Sequence, residues 1–227
     1  MRVVVITGTT RGLGRALLEA LHGTRNHVIA ISRKTIAEQV DMSNVSFIIH
    51  DLSKPHALIE QCKFLEILEI LPGETSEICF INNAAVVGQL GDIGTLTQES
   101  ILRTFNINVI SPMLISNELM RTARQLSCQF KIIHIGTGAA HRAIAGLSLY
   151  CSSKSAIDMF YKVAFEEGVE ACSVDPGVMD TRMQQEIRNN YDPSFPMYEY
   201  FTDLQARGEL KDPNDVARDL LMQYDLL

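Results

Sequence analysis

The stretch Arg2-Val-Val-Val-Ile-Thr7-Gly8-Thr-Thr-Arg11-Gly12-Leu-Gly14-Arg-Ala-Leu-Leu-Glu-Ala-Leu21 decides the fold. A run of β-branched residues passes into three glycines and then into apolar residues at helical spacing, which predicts strand, tight loop and helix. Glycine in such a loop permits a close backbone approach to a phosphate, and the following helix N-terminus favours its negative charge. The spacing is G-x-x-x-G-x-G rather than G-x-G-x-x-G. Standing alone, the trio suits a plain loop as well as a dinucleotide site.

Outward from that unit, short apolar strands alternate with helix-length amphipathic segments, the pattern of a parallel sheet with helices on both faces. Strands are predicted near 2–7, 27–32, 45–49, 78–82, 130–136 and 170–174. Helices are predicted near 12–22, 55–70, 98–124, 148–167, 197–206 and 213–223. Ala156, Met159, Phe160, Val163 and Ala164 give the fourth of these an apolar face. With no repeat or linker, residues 1–227 are expected to form one domain.

Composition narrows the function. Apolar residues make up 46% and charged residues 21%, as in a globular chain. No apolar run reaches the ~20 residues of a spanning helix. The start of the chain lacks a signal-peptide layout, so a cytoplasmic location without membrane association is expected. The five cysteines are widely spaced and expected to be reduced. Neither they nor the six histidines have metal-ligand spacing, so no metal is expected. A net charge of −7 argues against nucleic acid.

The second strand ends in Ile31-Ser32-Arg33-Lys34. An NAD site usually places an acid here, about 20 residues beyond the glycines, to hold the ribose 2′-OH. Ser32 and Arg33, with Arg11 in the glycine loop, suit an extra 2′-phosphate and so NADPH over NADH. A solvated basic turn is the plain alternative. Asp51 either accepts from an adenine amino group or caps the helix near Pro55. Asn82-Asn83-Ala84 ends the fourth strand, where its amides can brace the cofactor loops or simply form a turn.

Tyr150 and Lys154 are one helical turn apart. Two unit charges ~4 Å apart at an effective dielectric of ~20 interact by about 4 kcal/mol. A lysine so placed is expected to lower the phenol by up to roughly three pKa units, making it a general acid near neutrality. Thr137, in the loop after the fifth strand, can donate to a developing oxyanion or merely finish a strand. Asn108 precedes Pro112 by four residues; proline has no N–H, so the carbonyl of Asn108 is either free to hold a water or part of a simple kink. Beyond the sixth strand, Pro176, Gly177, Val178 and Thr181 are candidates to meet a nicotinamide carboxamide. Tyr191, Phe195, Tyr198, Tyr200 and Phe201, interleaved with Pro193, Pro196 and Met197, suggest an apolar lid over a planar substrate or else the packing of a surface helix or subunit contact.

Taken in order, Thr7-Gly8-x-x-x-Gly12-x-Gly14, Asp51, Asn82-Asn83-Ala84, Asn108, Tyr150-x-x-x-Lys154 and Pro176-Gly177 resemble the short-chain dehydrogenase/reductase family over essentially the whole chain. Within it, Leu149-Tyr150-Cys151, the segment Asp180–Gln185 and the segment Asp203–Pro213 are similar to sepiapterin reductases and bacterial benzil reductases. The resemblance implies a Rossmann-like, doubly wound parallel sheet in one domain. It implies NADPH/NADP+ as cofactor, held by Gly8, Thr10, Arg11, Gly12, Leu13, Gly14, Ser32, Arg33, Asp51, Leu52, Asn83, Ala84, Tyr150, Lys154, Pro176, Gly177, Val178 and Thr181. Tyr150 would be the proton donor, Lys154 would bind the nicotinamide ribose and tune the tyrosine, Thr137 would polarise the carbonyl and Asn108 would support a proton relay. The small-molecule substrate would be a ketone or α-diketone on a flat ring-bearing molecule, and the protein would be a homodimer joined through helices 98–124 and 148–167.

Two departures qualify the match. Thr137 stands where the family normally has serine, keeping the hydroxyl but adding a methyl that narrows the pocket. The last family strand is expected to be missing, along with a substrate-anchoring aspartate near it. Rival readings are a non-catalytic NADPH-binding sensor of the same fold and an oxoacyl reductase, the latter needing a basic docking patch for an acidic carrier.

Overall fold

The computed structural model describes residues 1–189 and 197–227. Six parallel strands lie in the order β3-β2-β1-β4-β5-β6. They are β1 (Arg2–Thr7), β2 (His27–Ser32), β3 (Val45–Ile49), β4 (Glu77–Asn82), β5 (Gln129–Ile135) and β6 (Glu170–Val174). The order reverses between β1 and β4, and open α/β sheets bind ligands at such a switch point, outside the carboxyl ends of the strands.

Each central strand is apolar on both sides, because helices cover both faces. Val4 and Ile6 of β1, with Ile133 and Ile135 of β5, pack against α1 (Gly12–Leu21) and α9 (Pro213–Gln223). Val3, Val5 and Ile132 face the opposite layer, where Ile115 and Leu119 of α5 (Ser111–Leu126) meet Ile157 and Tyr161 of α6 (Ser148–Glu166). At period 2, His134 shares the face of Ile132, and Asn82 that of Phe80, so two polar side chains project into this second layer.

Three helical expectations change. The predicted 55–70 helix is a short 3₁₀ turn, α2 (Leu58–Cys62) and α3 (Phe64–Glu69), broken at Lys63, whose φ is 40°. The break lets Leu58 and Cys62 on one piece, and Phe64 and Leu68 on the other, all reach the core. The predicted 98–124 helix is α4 (Gln98–Phe105) joined to α5 by a π-helical turn over Asn106–Ile110. Pro112 accounts for the interruption: it has no N–H to give to the carbonyl four residues back. A polar helix, α7 (Arg182–Asn189), lies where no helix was expected, and α8 (Tyr198–Ala206) follows. Tyr191, Pro193, Phe195 and Pro196 of the aromatic segment lie outside the described residues.

Candidate active site

The loops after β1, β4, β5 and β6 enclose a cavity of about 990 Å³. Its floor is the glycine loop. Gly8 (φ 76°) and Gly12 (φ 54°) adopt left-handed conformations, and a Cβ at Gly14 would overlap the carbonyl oxygen of Gly8 and the amide of Asn83. Arg11 precedes α1 without a side-chain cap, and the first turn carries no acid. Its N–H groups therefore remain available to an anion at the end of the helix.

The loop is held from behind. The Asn83 amide donates to the carbonyl of Thr7 at 2.9 Å, and the Thr7 hydroxyl accepts from the backbone N–H groups of Asn83 and Ala84 at 3.1 and 3.0 Å. Gln39 donates to the Thr9 carbonyl at 2.6 Å. Asn83 is thus a brace, whereas Asn82 turns away into the core.

Around this floor, Thr10, Leu13, Arg33, Asp51, Leu52, Ala84, Pro176, Gly177, Val178 and Thr181 all line the same cavity. Ser32 lines it too, but its buried hydroxyl is engaged by Thr9, from the backbone N–H at 2.9 Å and the hydroxyl at 2.8 Å. Arg33, exposed like Lys34 beside it, is the cation at the end of β2 that lines the cavity. Arg11 lies 3.8 Å from Glu186 of the unforeseen helix α7. Asp51 accepts from the Ser53 N–H at 3.0 Å. Burial opposes ionisation there, but the Ser53 bonds and the charges of Arg33 and Lys54 hold the carboxyl below its ordinary range. Thr181 rests against Gly12, bringing the loop after β6 onto the glycine loop.

Across the cavity, the Tyr150 phenol of α6 faces the Thr137 hydroxyl, in the loop after Gly136 at the end of β5. The Thr137 oxygen also accepts from the Ala139 N–H at 3.3 Å. Burial pushes the Tyr150 phenol up to about 12, with the Thr137 hydroxyl opposing and the negative charge of Asp175 adding to the rise. This corrects the expected lowering by Lys154. The lysine is only 3% exposed, and its ammonium donates to the Ile135 carbonyl at 2.6 Å and lies 3.4 Å from the His134 ring. Its charge is directed toward β5, and burial pushes its own pKa down to about 8, against Asp158 and Asp175.

Asn108 sits in the π turn with both ends of its amide engaged. Its oxygen accepts from the Val86 N–H at 2.9 Å, and its nitrogen donates to the Val86 carbonyl at 2.8 Å and to the Ser153 hydroxyl at 2.9 Å. The side chain thereby ties the loop after β4 to α6, a role that the proline spacing did not reveal.

The outer wall is apolar. Leu147 and Phe201 pack with Val87, Leu90, Ile144, Tyr150, Val178, Met197 and Leu204, so α8 forms one side of the cavity beside the tyrosine. Among the residues not foreseen, His134 had the clearest signal, as the lone ionisable residue inside the apolar run Ile132-Ile-His-Ile135 of a central strand. Ser153 and Glu186 carried none. Among the described residues no His/Cys/Asp/Glu cluster is arranged to hold a metal, and no helix is long and apolar enough to cross a membrane.

The profile of the short chain dehydrogenase family matches residues 2–192. A benzil reductase ((S)-benzoin forming) from Bacillus cereus is 32% identical over 96% of this chain and 92% of its own. A sepiapterin reductase from Xenopus laevis is 28% identical over 80% of this chain and 74% of its own. The crystal structure of the KRED1-Pglu enzyme superposes with a TM-score of 0.80 at 27% identity, covering 96% of this chain and 92% of that one. The chain belongs to the short-chain dehydrogenase family; it is an oxidoreductase of that type, built for a nicotinamide cofactor.

Proposed function

We propose that this short-chain dehydrogenase is an NADPH-dependent carbonyl reductase acting on a ketone or α-diketone of a planar, largely apolar molecule. The observation that carries the reading is the pairing of the Tyr150 and Thr137 hydroxyls beside a wall of Leu90, Ile144, Leu147, Val178, Phe201 and Leu204. Two hydroxyls meeting at one point suit a carbonyl oxygen, and the wall suits a flat ring system.

The cofactor's reactive contribution is hydride. The chain's own residues supply binding and proton chemistry. The uncapped N-terminus of α1, with Gly8, Gly12 and Gly14, suits a pyrophosphate. Arg33, and the absence of an acid at the end of β2, support NADPH over NADH. Thr137 donates to the carbonyl oxygen as negative charge develops there. Tyr150, fully protonated at neutral pH, then gives its proton to that oxygen, an alkoxide being more basic than the phenolate left behind. Lys154, anchored on β5, lines the cavity and can give its remaining N–H to the nicotinamide ribose. Asn108 and Ser153 hold the loop after β4 against the helix, and the apolar wall excludes water from the transfer.

Two further expectations belong to this reading. Exposed apolar side chains on α4 and the π turn (Ile101, Leu102, Ile110) and on α6 (Met159, Val163) suit a contact between two copies. The free cysteines suit a reducing, cytoplasmic setting.

The test is to follow NADPH absorbance against benzil, sepiapterin and a simple aromatic aldehyde, with Tyr150→Phe as control. Tyrosine-dependent oxidation of NADPH supports the reductase. Tight NADPH binding with no turnover on any of the three points to a sensor of the same fold.

A further inference from the structure

His134 is buried to 1% in the layer between the sheet and α6, and family-type chemistry gives it no task. Its surroundings form a chain of polar groups. The ring Nδ1 is 3.0 Å from the side-chain amide nitrogen of Asn82, and Nε2 is 3.4 Å from the ammonium of Lys154. The ring packs beside that of Tyr161, with centroids 5.1 Å apart. The Tyr161 hydroxyl is 3.3 Å from that of Ser116 and lies near the Asn82 amide.

Donor and acceptor bookkeeping assigns the proton. An ammonium has only N–H groups to offer, so Nε2 must accept from Lys154. A neutral imidazole that accepts at Nε2 carries its hydrogen on Nδ1, and that hydrogen needs an oxygen. The Asn82 Oδ1 is buried and otherwise without a partner. Turning the Asn82 amide so that its oxygen meets Nδ1 satisfies both groups and leaves its nitrogen to donate toward Tyr161; amide orientation is assigned from such networks. Burial, with the Lys154 charge adding and the Asn82 backbone opposing, pushes His134 down to about 2, consistent with a neutral ring.

We propose that His134 is the positioning residue for Lys154, holding the ammonium through an Nε2 acceptor that Asn82 fixes in the required tautomer. The backbone carbonyl of Ile135 takes one N–H of the lysine and His134 a second, both from the same strand. Since an ammonium has three N–H groups, one remains for the cavity that Lys154 lines. Other ionisable groups near the ammonium are Asp158 on its own helix, Asp175 after β6 and Tyr150 one turn back. The carboxylates act through charge, whereas His134 supplies a directed acceptor. Removing it strips a buried cation of one of its two fixed partners, so the lysine loses its proton at lower pH and with it the charge and the N–H it presents to the cavity.

The kinetic part rests on the reductase reading; the spectroscopic part does not. In ligand-free wild-type protein, ring 15N spectra are expected to show His134 as the Nδ1–H tautomer with no titration between pH 5 and 9. An Nε2–H tautomer, or a titration within that range, overturns the proposal even if the protein reduces no carbonyl. The 15Nζ resonance of Lys154, assigned with Lys154→Met, is then titrated in His134→Phe and His134→Gln. Phe keeps the ring contact and removes the acceptor, and its Lys154 midpoint is expected to fall by at least half a pH unit; Gln, which has an acceptor oxygen, is expected to restore it. On the best carbonyl substrate, His134→Phe should lower kcat about tenfold or more and move the alkaline limb of kcat to lower pH, with rescue by Gln. A Lys154 midpoint and a kcat profile unchanged in His134→Phe overturn the proposal. If the Phe variant does not fold, the wild-type tautomer and His134→Leu decide it in the same way.

Discussion

Lys154 stands one turn beyond Tyr150 on α6, but its ammonium is hydrogen-bonded at 2.6 Å to the Ile135 carbonyl on β5 rather than to the phenol. The phenol faces Thr137 instead, and burial pushes its pKa up to about 12. Acid and cation are thus separately anchored, one to the strand-end loop and one to the strand itself.

Removing the phenolic oxygen should abolish proton donation without disturbing the fold. Tyr150→Phe is expected to lower kcat about 100- to 10,000-fold, the usual weight of a positioned general acid. NADPH affinity, read by fluorescence, should change little. Retained turnover in this variant would sink the reductase mechanism.

Thr137 tests the second hydroxyl. Thr137→Val keeps the methyl and loses the donor, and a fall in kcat of about 100-fold is expected, near the lower bound for an oxyanion donor. Thr137→Ser should retain activity, and because it removes the methyl it should accept bulkier diketones. A Val variant as active as Ser would leave Thr137 as packing only.

Cofactor choice should hinge on Arg33, because the Ser32 hydroxyl is already engaged by Thr9. Arg33→Glu is expected to weaken NADPH by about 10- to 100-fold, the range for one lost charge-assisted bond, while leaving NADH unchanged or improved. Parallel KM measurements with both cofactors read this directly.

His134 also makes an acid-sensitivity prediction whose sign follows from its shift. Its folded pKa is depressed to about 2 from 6.5, so the unfolded chain takes up a proton below about 6.5 that the folded chain refuses. Stability is therefore full above 6.5 and declines as pH falls, by up to about 1.4 kcal/mol per unit. His27, also depressed by burial, adds to the same limb. Thermal melts of His134→Gln between pH 7 and 5 should show a shallower decline than wild type; parallel curves would contradict the assignment.

Gly14 has no room for a side chain against Gly8 and Asn83. Gly14→Ala is expected to cost about 1–3 kcal/mol of stability through overpacking and to weaken NADPH binding, because the loop must move for the methyl to fit. Differential scanning calorimetry and cofactor titration separate the two effects.

The strands were legible because most are short apolar runs rich in β-branched residues, and their observed ends fall within one residue of expectation. The helices were less so where local geometry overrides the pattern. Lys63 adopts a left-handed conformation that no composition signals, and the Pro112 kink takes the form of a π turn. The polar helix α7 has no apolar stripe to announce it. At the site, the side chains that line the cavity were readable from motif and order. Their internal pairing was not: Ser32 with Thr9, Asn83 with Thr7 and Lys154 with His134 are partnerships between elements distant in the chain.

The π turn over Asn106–Ile110 makes the protein sensitive to helical phase. An α-helix advances about 100° per residue, and a π turn accommodates one residue more than the regular helix would. Within it Asn108 must face Val86 and Ser153; beyond it, Ile115 and Leu119 must face the sheet. A regular helix with the same number of residues would keep nearly all side chains intact but rotate one requirement about 100° out of phase with the other. A straight helix of equal composition therefore could not replace this segment.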